Sequence, residues 1–351
     1  MKNTGNINRP LHEREQQILR AIVYDYITTG KPVGSRSFVQ KYSLSISPAT
    51  IRNIMADLES MEYLKQPYTS AGRTPTDKGY RFYVDTLLDS YEFSFSDEIK
   101  TKQDFFKREV QLDKIFASIT KMLSMTSKLA GVMLTPKPDF AVIKRIELIQ
   151  MASNEVLVIL VTRTGMILTK KVILSEHLMK ENLYDFSKFL TSELCGFSIQ
   201  DIKTNKFNKL RNDSEQIFDQ GIAIDILELA FSENEESELH LDGLENLLKI
   251  PEMVDEERIN SLLKIIEEKN ILRAILEKTL QKEGVRILIG EEIENNSVTG
   301  CSMVTTTYKI GNKNVGVIGV IGPTRMDYEK AVPLVDYTGR VVSEFLTNMS
   351  K

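Results

Sequence analysis

Hydrophobic positions in the first ninety residues fall into three helical stripes. Ile18, Leu19, Ile22, Val23, Tyr26 and Ile27 recur at three- and four-residue spacing and predict an amphipathic helix from Leu11 to Ile27. A second helix, near Ser35 to Tyr42, follows Pro32-Val33-Gly34 and offers Phe38 and Val39 to the same core. A third starts at Ser47-Pro48, where a hydroxyl can cap orphan N–H groups and proline has no donor to orphan. Its stripe is Ile51, Ile54, Met55, Leu58 and Met61, which leaves Thr50, Arg52, Asn53, Ala56 and Asp57 on the other side. After Leu64 the pattern breaks into KQPYTSAGRTP, where Pro67 and Pro75 exclude helix and Gly72 offers a tight bend, the marks of a hairpin. Thr76-Asp77 then opens a helix carrying Lys78, Tyr80, Arg81 and Tyr83.

Three short helices followed by a basic hairpin make the layout of a winged helix-turn-helix, which places one helix in the DNA major groove. The polar side of the third helix suits that task. Small Ala49 and Ala56 permit close approach, and Arg and Asn can bond guanine and adenine in bidentate fashion. Taken alone, the helix is equally compatible with an ordinary amphipathic surface helix; the neighbouring elements favour DNA. Arg73, beside the bend, is placed to reach a phosphate or the adjacent minor groove, or else is a solvated loop arginine.

Past a Ser-, Phe- and acid-rich stretch over 91–104 that reads as a linker, the pattern predicts a helix near Phe105 to Leu129 and a strand from Leu129 to Leu134, stopped by Pro136 and Pro138. Alternating segments near Ile143 to Met151, Glu155 to Thr162 and Met166 to Leu174, punctuated by Ser153-Asn154 and Thr164-Gly165, predict an antiparallel meander. Helices follow near Leu178 to Leu194, Asp201 to Leu210 and Ser214 to Phe231. This gives an α+β unit over about 141–235 whose apolar strands offer either a dimer surface or a plain folded core. Residues 225–260 carry 12 acids against Lys249 and Arg258, and part of the stretch reads as a solvated face. Helices near Glu256 to Ile266 and Leu272 to Gln281 precede strands at Val285 to Gly290, Ser302 to Ile310 and Val315 to Ile321, with a turn at Gly311 to Asn314. A last helix spans Tyr328 to Leu346. Helix and strand before the 141–235 unit, and strands and helix after it, suggest one sensor-like α/β domain interrupted by an insertion.

At 351 residues the chain has room for two or three domains. Its formal charge of −4 hides an asymmetry: residues 1–90 hold 12 Lys+Arg against 9 Asp+Glu, and the remainder 33 against 40. Only the N-terminal part is basic, which suits a body that dimerises or senses while the first domain docks. Cys195 and Cys301 lie far apart with no CxxC, so no disulfide framework is indicated. The N-terminus has no apolar signal-like region and no run of about 18 apolar residues occurs, so a cytoplasmic protein without a membrane segment is expected.

Enzymatic landmarks are missing. His12, His177 and His240 are scattered, outside any HExxH or Cys pair. Gly316, Gly319 and Gly322 do not form GxGxxG and are better explained by close strand packing. Neither GxxxxGK[ST] nor GxSxG occurs. The segment Gly322-Pro323-Thr324-Arg325-Met326-Asp327-Tyr328 either holds an anion at a helix start or forms a structural turn in which Arg325 and Asp327 pair or cap backbone. No cofactor, metal or catalysed reaction is expected.

Several blocks in order, PVGS at 32–35, SPATIRN at 47–53, TSAGR at 69–73, PTDKGYR at 75–81, LENLL at 244–248, IGEE at 289–292 and GPTRMDY at 322–328, resemble the signature segments of the heat-inducible transcription repressor family HrcA. The resemblance spans essentially the whole chain. It implies an α+β multidomain fold: a winged helix-turn-helix over 1–90, a GAF-like α/β domain in two parts, 91–140 and 236–351, and an inserted α+β dimerising domain over 141–235. It further implies a homodimeric repressor that binds an inverted-repeat operator in double-stranded DNA, CIRCE, upstream of chaperone operons, with the GroEL chaperonin promoting the active form. By matching positions, Ser47, Thr50, Arg52 and Asn53 belong to the recognition helix and Arg73 to the wing, with Arg36, Tyr68, Ser70 and Lys78 as further DNA contacts on the wing and flanks. The chain departs from the family pattern at Glu62, where glycine is common, at Tyr68, commonly histidine, and at Thr74, commonly aliphatic. Those changes bear on wing angle and operator preference.

Overall fold

The computed structural model describes residues 9–43, 46–69, 71–89, 112–173, 181–206, 226, 236–251, 264, 269–293 and 300–350. The stripes in the sequence become α1 (Glu13–Thr29), α2 (Ser35–Tyr42) and α3 (Pro48–Ser60). Ile18, Leu19, Ile22, Val23, Phe38, Ile51, Met55 and Leu58 are buried between them. Strands β1 (Leu64–Lys65) and β2 (Thr74–Pro75) pair antiparallel, Leu64 with Pro75, and form the short hairpin. Its second arm is also bridged to Val33, since Arg73 and Val33 exchange two backbone hydrogen bonds of 2.9 Å. Helix α4 (Asp77–Asp89) follows. Between α3 and β1 the chain turns through Glu62 at φ +65°, a left-handed conformation that favours glycine, which accounts for glycine being usual there in the resembled family.

The body is a five-stranded antiparallel sheet in the order β7-β3-β10-β9-β8, from β3 (Ala130–Leu134), β7 (Leu239–Asp242), β8 (Val285–Ile289), β9 (Cys301–Ile310) and β10 (Lys313–Pro323). Helices α5 (Leu112–Ser127), α9 (Lys269–Leu280) and α10 (Tyr328–Ser350) pack on it, and short α8 (Leu244–Leu247) lies against β3. Every residue of β9 from Cys301 to Tyr308 is buried, so both faces of the sheet are covered. Gly316, Gly319 and Gly322 lie in β10 directly beneath Tyr308, Thr305 and Leu129, as close strand packing requires.

Between β3 and β7 the chain builds a second sheet, β4 (Ile143–Ala152), β5 (Glu155–Thr162) and β6 (Ile167–Ile173), with α6 (Glu181–Leu194) and a short helix α7 (Ile199–Asp201). Helix α6 covers one face and supplies hydroxyls to edge strand β4: the Leu148 N–H donates to Ser187 Oγ at 2.9 Å and the Ile146 N–H to Thr191 Oγ1 at 3.0 Å. The excursion leaves and rejoins the body at one stitch, where the Thr135 N–H donates to Glu238 O at 2.9 Å and the Glu238 N–H to Thr135 Oγ1 at 2.8 Å.

Two departures from the sequence reading stand out. The acidic stretch contains β7, an edge strand whose Leu241 pairs with Val132. The helix expected from Asp201 to Leu210 is instead α7, capped by Ser198, followed by a wider π turn over Ile202–Lys206. Residues 207–210 and the expected linker over 91–104 lie outside the described residues, as do most of the helices expected at Ser214 to Phe231 and Glu256 to Ile266.

Candidate nucleic-acid interface

The sequence places Ser47 and Pro48 at the head of α3, and the geometry follows. Ser47 Oγ accepts from the Thr50 N–H at 3.1 Å and lies 2.9 Å from the Thr50 hydroxyl, so both polar groups are fixed at the helix start. Because Ile51, Met55 and Leu58 are drawn into the core, the opposite side of the helix is left outside. Ser47, Ala49, Thr50, Arg52, Asn53, Ala56 and Asp57 are all exposed. One side therefore carries an Arg and an Asn among small residues, with no bulky apolar group between them.

A cleft of about 590 Å³ runs between this helix, the first turn of α2 and the foot of the hairpin, bordered by Ser35, Arg36, Ser37, Arg52, Gln66 and Arg73. Arg36 and Arg52 are exposed at its rim. The first turn of α2 adds unsatisfied N–H groups, the positive end of a helix dipole. Gln66 was not singled out from sequence. Its Nε2 donates to Thr69 O at 2.9 Å and to Ala71 O at 3.0 Å, which holds the loop between β1 and β2 in shape. At the loop tip Tyr68 is 63% exposed. Ser70 lies outside the described residues.

Two sequence candidates sit differently from expectation. Arg73 is only 17% exposed and its guanidinium lies 2.8 Å from Glu59 Oε2, so it clamps the hairpin to the end of α3. Lys78 is exposed but folds back on the helix end: its Nζ donates to Met61 O at 2.9 Å and stands 4.6 Å over the Tyr63 ring. A cation at the C-terminal end of α3 satisfies an orphan carbonyl and the helix dipole together, which outweighs an outward pose. Lys78 thus braces the C-terminal end of α3. The GPTRMDY segment takes the structural alternative, with Arg325 donating to Ile27 O at 2.8 Å and Asp327 Oδ1 accepting from the Lys330 N–H at 3.3 Å.

Among the described residues no group of three His, Cys, Asp or Glu side chains could hold a metal ion, and no helix is long and apolar enough to cross a membrane.

Comparison with known proteins gives one family. Its profile, HrcA protein C terminal domain, matches residues 113–332. The heat-inducible transcription repressor HrcA of Geobacter sulfurreducens is 36% identical over 337 residues, 96% of this chain and 98% of that protein. The one from Leptospira biflexa is 33% identical over 345 residues, covering 97% and 99%. A crystal structure of a hypothetical protein superposes with a TM-score of 0.65 at 25% identity and covers 97% of this chain and 100% of its own.

Proposed function

The chain belongs to the HrcA family of heat-inducible transcription repressors, proteins that regulate transcription of heat-shock genes rather than catalyse a reaction, and we propose that it does so as a two-fold DNA reader. In this reading the N-terminal unit is a winged helix-turn-helix, the five-stranded body a GAF-like domain, and the β4-β5-β6 unit the dimerising insert. Two copies lay their α3 helices into successive major grooves of the CIRCE inverted repeat in chaperone operons and exclude transcription from them. GroEL as the partner that promotes the active form follows from the family resemblance.

The observation that carries the reading is the exposed face of α3 beside an arginine-bordered cleft. Arg52 and Asn53 are the base readers, Thr50 and Ser47 the groups nearest the backbone at the helix start, and Arg36 and Tyr68 the flanking phosphate and groove contacts. Arg73 serves chiefly to fix the wing. Support for the dimer comes from the outer face of the insert sheet, where, beside the Arg145–Glu147 and Lys171–Glu155 ion pairs, Ile149, Met151, Ile167 and Ile173 are exposed and Leu157, Ile159 and Val161 half-buried, a cluster of apolar side chains of the kind monomers rarely leave open.

Footprinting on chaperone-operon DNA tests the function. Protection of two half-sites about one helical turn or a multiple apart is expected. Arg52→Ala should cost about 1–3 kcal/mol of specific binding and relax preference at one base position in each half. Unchanged affinity and unchanged preference would remove α3 from the groove.

A further inference from the structure

Helix α4 is bonded on two sides, and the two sides belong to different parts of the molecule. Toward the N-terminal unit it grips the end of α3. Thr76 Oγ1 donates to Glu62 O at 2.5 Å, the Thr76 N–H to Tyr63 O at 3.1 Å, and Lys78 to Met61 O. Gly79 lies so close that a Cβ there would stand 2.3 Å from Tyr63 O, and Phe82 meets the Tyr63 ring edge-on at 6.0 Å. Three successive residues after α3 are therefore held by the first turns of α4.

Toward the body, α4 makes a second set of bonds across about two hundred residues of sequence. The Arg81 guanidinium donates from Nε to Glu292 Oε1 at 2.7 Å and from a terminal nitrogen to Glu292 Oε2 and to Ile287 O at 2.7 Å, while its other terminal nitrogen stays within α4, on Asp85 at 3.3 Å. Asp77 Oδ2 accepts from the Glu291 N–H at 3.0 Å, and at Gly290, whose φ is +52°, a Cβ would stand 1.8 Å from that carboxylate and displace it. The Tyr83 hydroxyl donates to Glu329 Oε1 at 2.7 Å and the Tyr80 ring lies 6.3 Å from that of Tyr328. Arg325 adds its bond to Ile27 O at the end of α1. A bidentate Arg–carboxylate pair fixes orientation as well as distance, and here it is backed by a backbone carbonyl acceptor.

We infer that Arg81 and Glu292 are positioning residues for DNA reading: through α4 they set the angle of the α3 helix on the body, and with it the spacing of half-sites that a dimer accepts. The inference rests on the two-fold reading above. In a dimer joined through its inserts, the bodies carry the reading helices, and beside the shared core and the Tyr83–Glu329 and Arg325–Ile27 bonds the Glu292–Arg81 pair is the charged link that runs along α4 to Met61, Glu62 and Tyr63 at the foot of α3. Half-site separation is a geometric quantity, so loosening one link broadens the set of spacings without touching a base contact.

The test uses full-length protein and a series of operators whose half-sites are moved apart by one to five base pairs, together with a duplex carrying a single half-site. Wild type should bind one spacing best. Arg81→Gln and Glu292→Gln should keep the wild-type subunit mass, a cooperative melt and single-half-site affinity, while discrimination between best and worst spacings falls about tenfold, the scale of a lost charge-assisted hydrogen bond. The double variant should be no worse than either single one, because both remove the same link. Folded variants that retain wild-type discrimination would overturn the inference, as would a uniform loss of affinity at every spacing, which marks a merely structural role. Should Arg81→Gln fail to fold, Glu292→Gln and Tyr83→Phe, each far from DNA, decide between the same outcomes. A wild type indifferent to spacing would sink the two-fold reading itself, and is seen before any variant is made.

Discussion

The N-terminal unit and the insert are attached to the same body in opposite ways. From Leu11 through Leu58, Tyr80 and Tyr83 to Met326 and Leu346, the buried side chains of the N-terminal unit and body form one continuous cluster. The insert keeps its own, from Ile143 and Val158 through Phe186 and Leu190 to Ile202 and Ile226. Among the described residues its ties to the body include the Thr135–Glu238 stitch, the Lys137–Glu277 ion pair and an apolar crevice lined by Phe140, Met166, Ile310 and Leu346. The unit proposed to read DNA is thus built into the body, whereas the unit proposed to dimerise is hung from it. A shared core transmits orientation, and a separate core permits independent stability.

The largest expected effect breaks the comparison at the stitch. Replacing residues 141–235 by a short Gly/Ser linker spans ends already hydrogen-bonded to each other at Thr135 and Glu238, so the body and N-terminal unit should still melt together. The dimer should be lost. Sedimentation then reports one subunit's mass, and a folded deletion variant that stays dimeric would move the interface elsewhere. Ile159→Lys in the full chain should act in the same direction through the sheet face alone.

Core truncations sharpen the contrast. Leu58 and Leu190 are both fully buried, one in each cluster, and Leu→Ala at either should cost about 2–5 kcal/mol. Leu58→Ala should weaken amide protection through the N-terminal unit and into the body. Leu190→Ala should weaken the insert only. Hydrogen exchange distinguishes them, and equal spreading of both effects would show the two cores to be one cooperative unit. The smallest effect is local to the N-terminal unit. Glu62→Gly relieves a left-handed backbone and should raise stability by about 1 kcal/mol, the relief exceeding glycine's entropic cost, as a higher Tm would report.

Where sequence reading succeeded, several local signals agreed. A capping serine, a proline at the first helical position and a three-four apolar spacing all point to the same α3, so its exposed face was legible in full. Where it fell short, a partner far along the chain decided. Arg73 looks free beside a bend until Glu59 is brought within 2.8 Å of it. Lys78 looks like a surface cation until the end of α3 offers it a carbonyl. Arg81 and Glu292 are separated by 211 residues, and no periodicity connects them. β7 was hidden because four residues with two leucines, set in an acidic run, carry too little alternation to stand out.

The position of β3 in the sheet has a consequence for the protein's birth. Val132 pairs with Gly319, so the middle of the sheet is closed by a strand that leaves the ribosome nearly two hundred residues later. At ordinary synthesis rates that interval is roughly 10–40 s. For the first 109 residues of it, from Val132 to its partner Leu241, Ala130 to Leu134, buried at every position in the finished fold, has neither β7 nor β10 beside it, and for the remainder it still lacks β10. An apolar strand with an edge bare for that long is a template for wrong pairing. Each new copy of this regulator thus passes through a period of exposure set by gene length, and its yield of folded molecules depends on how well the cell shields such strands during translation.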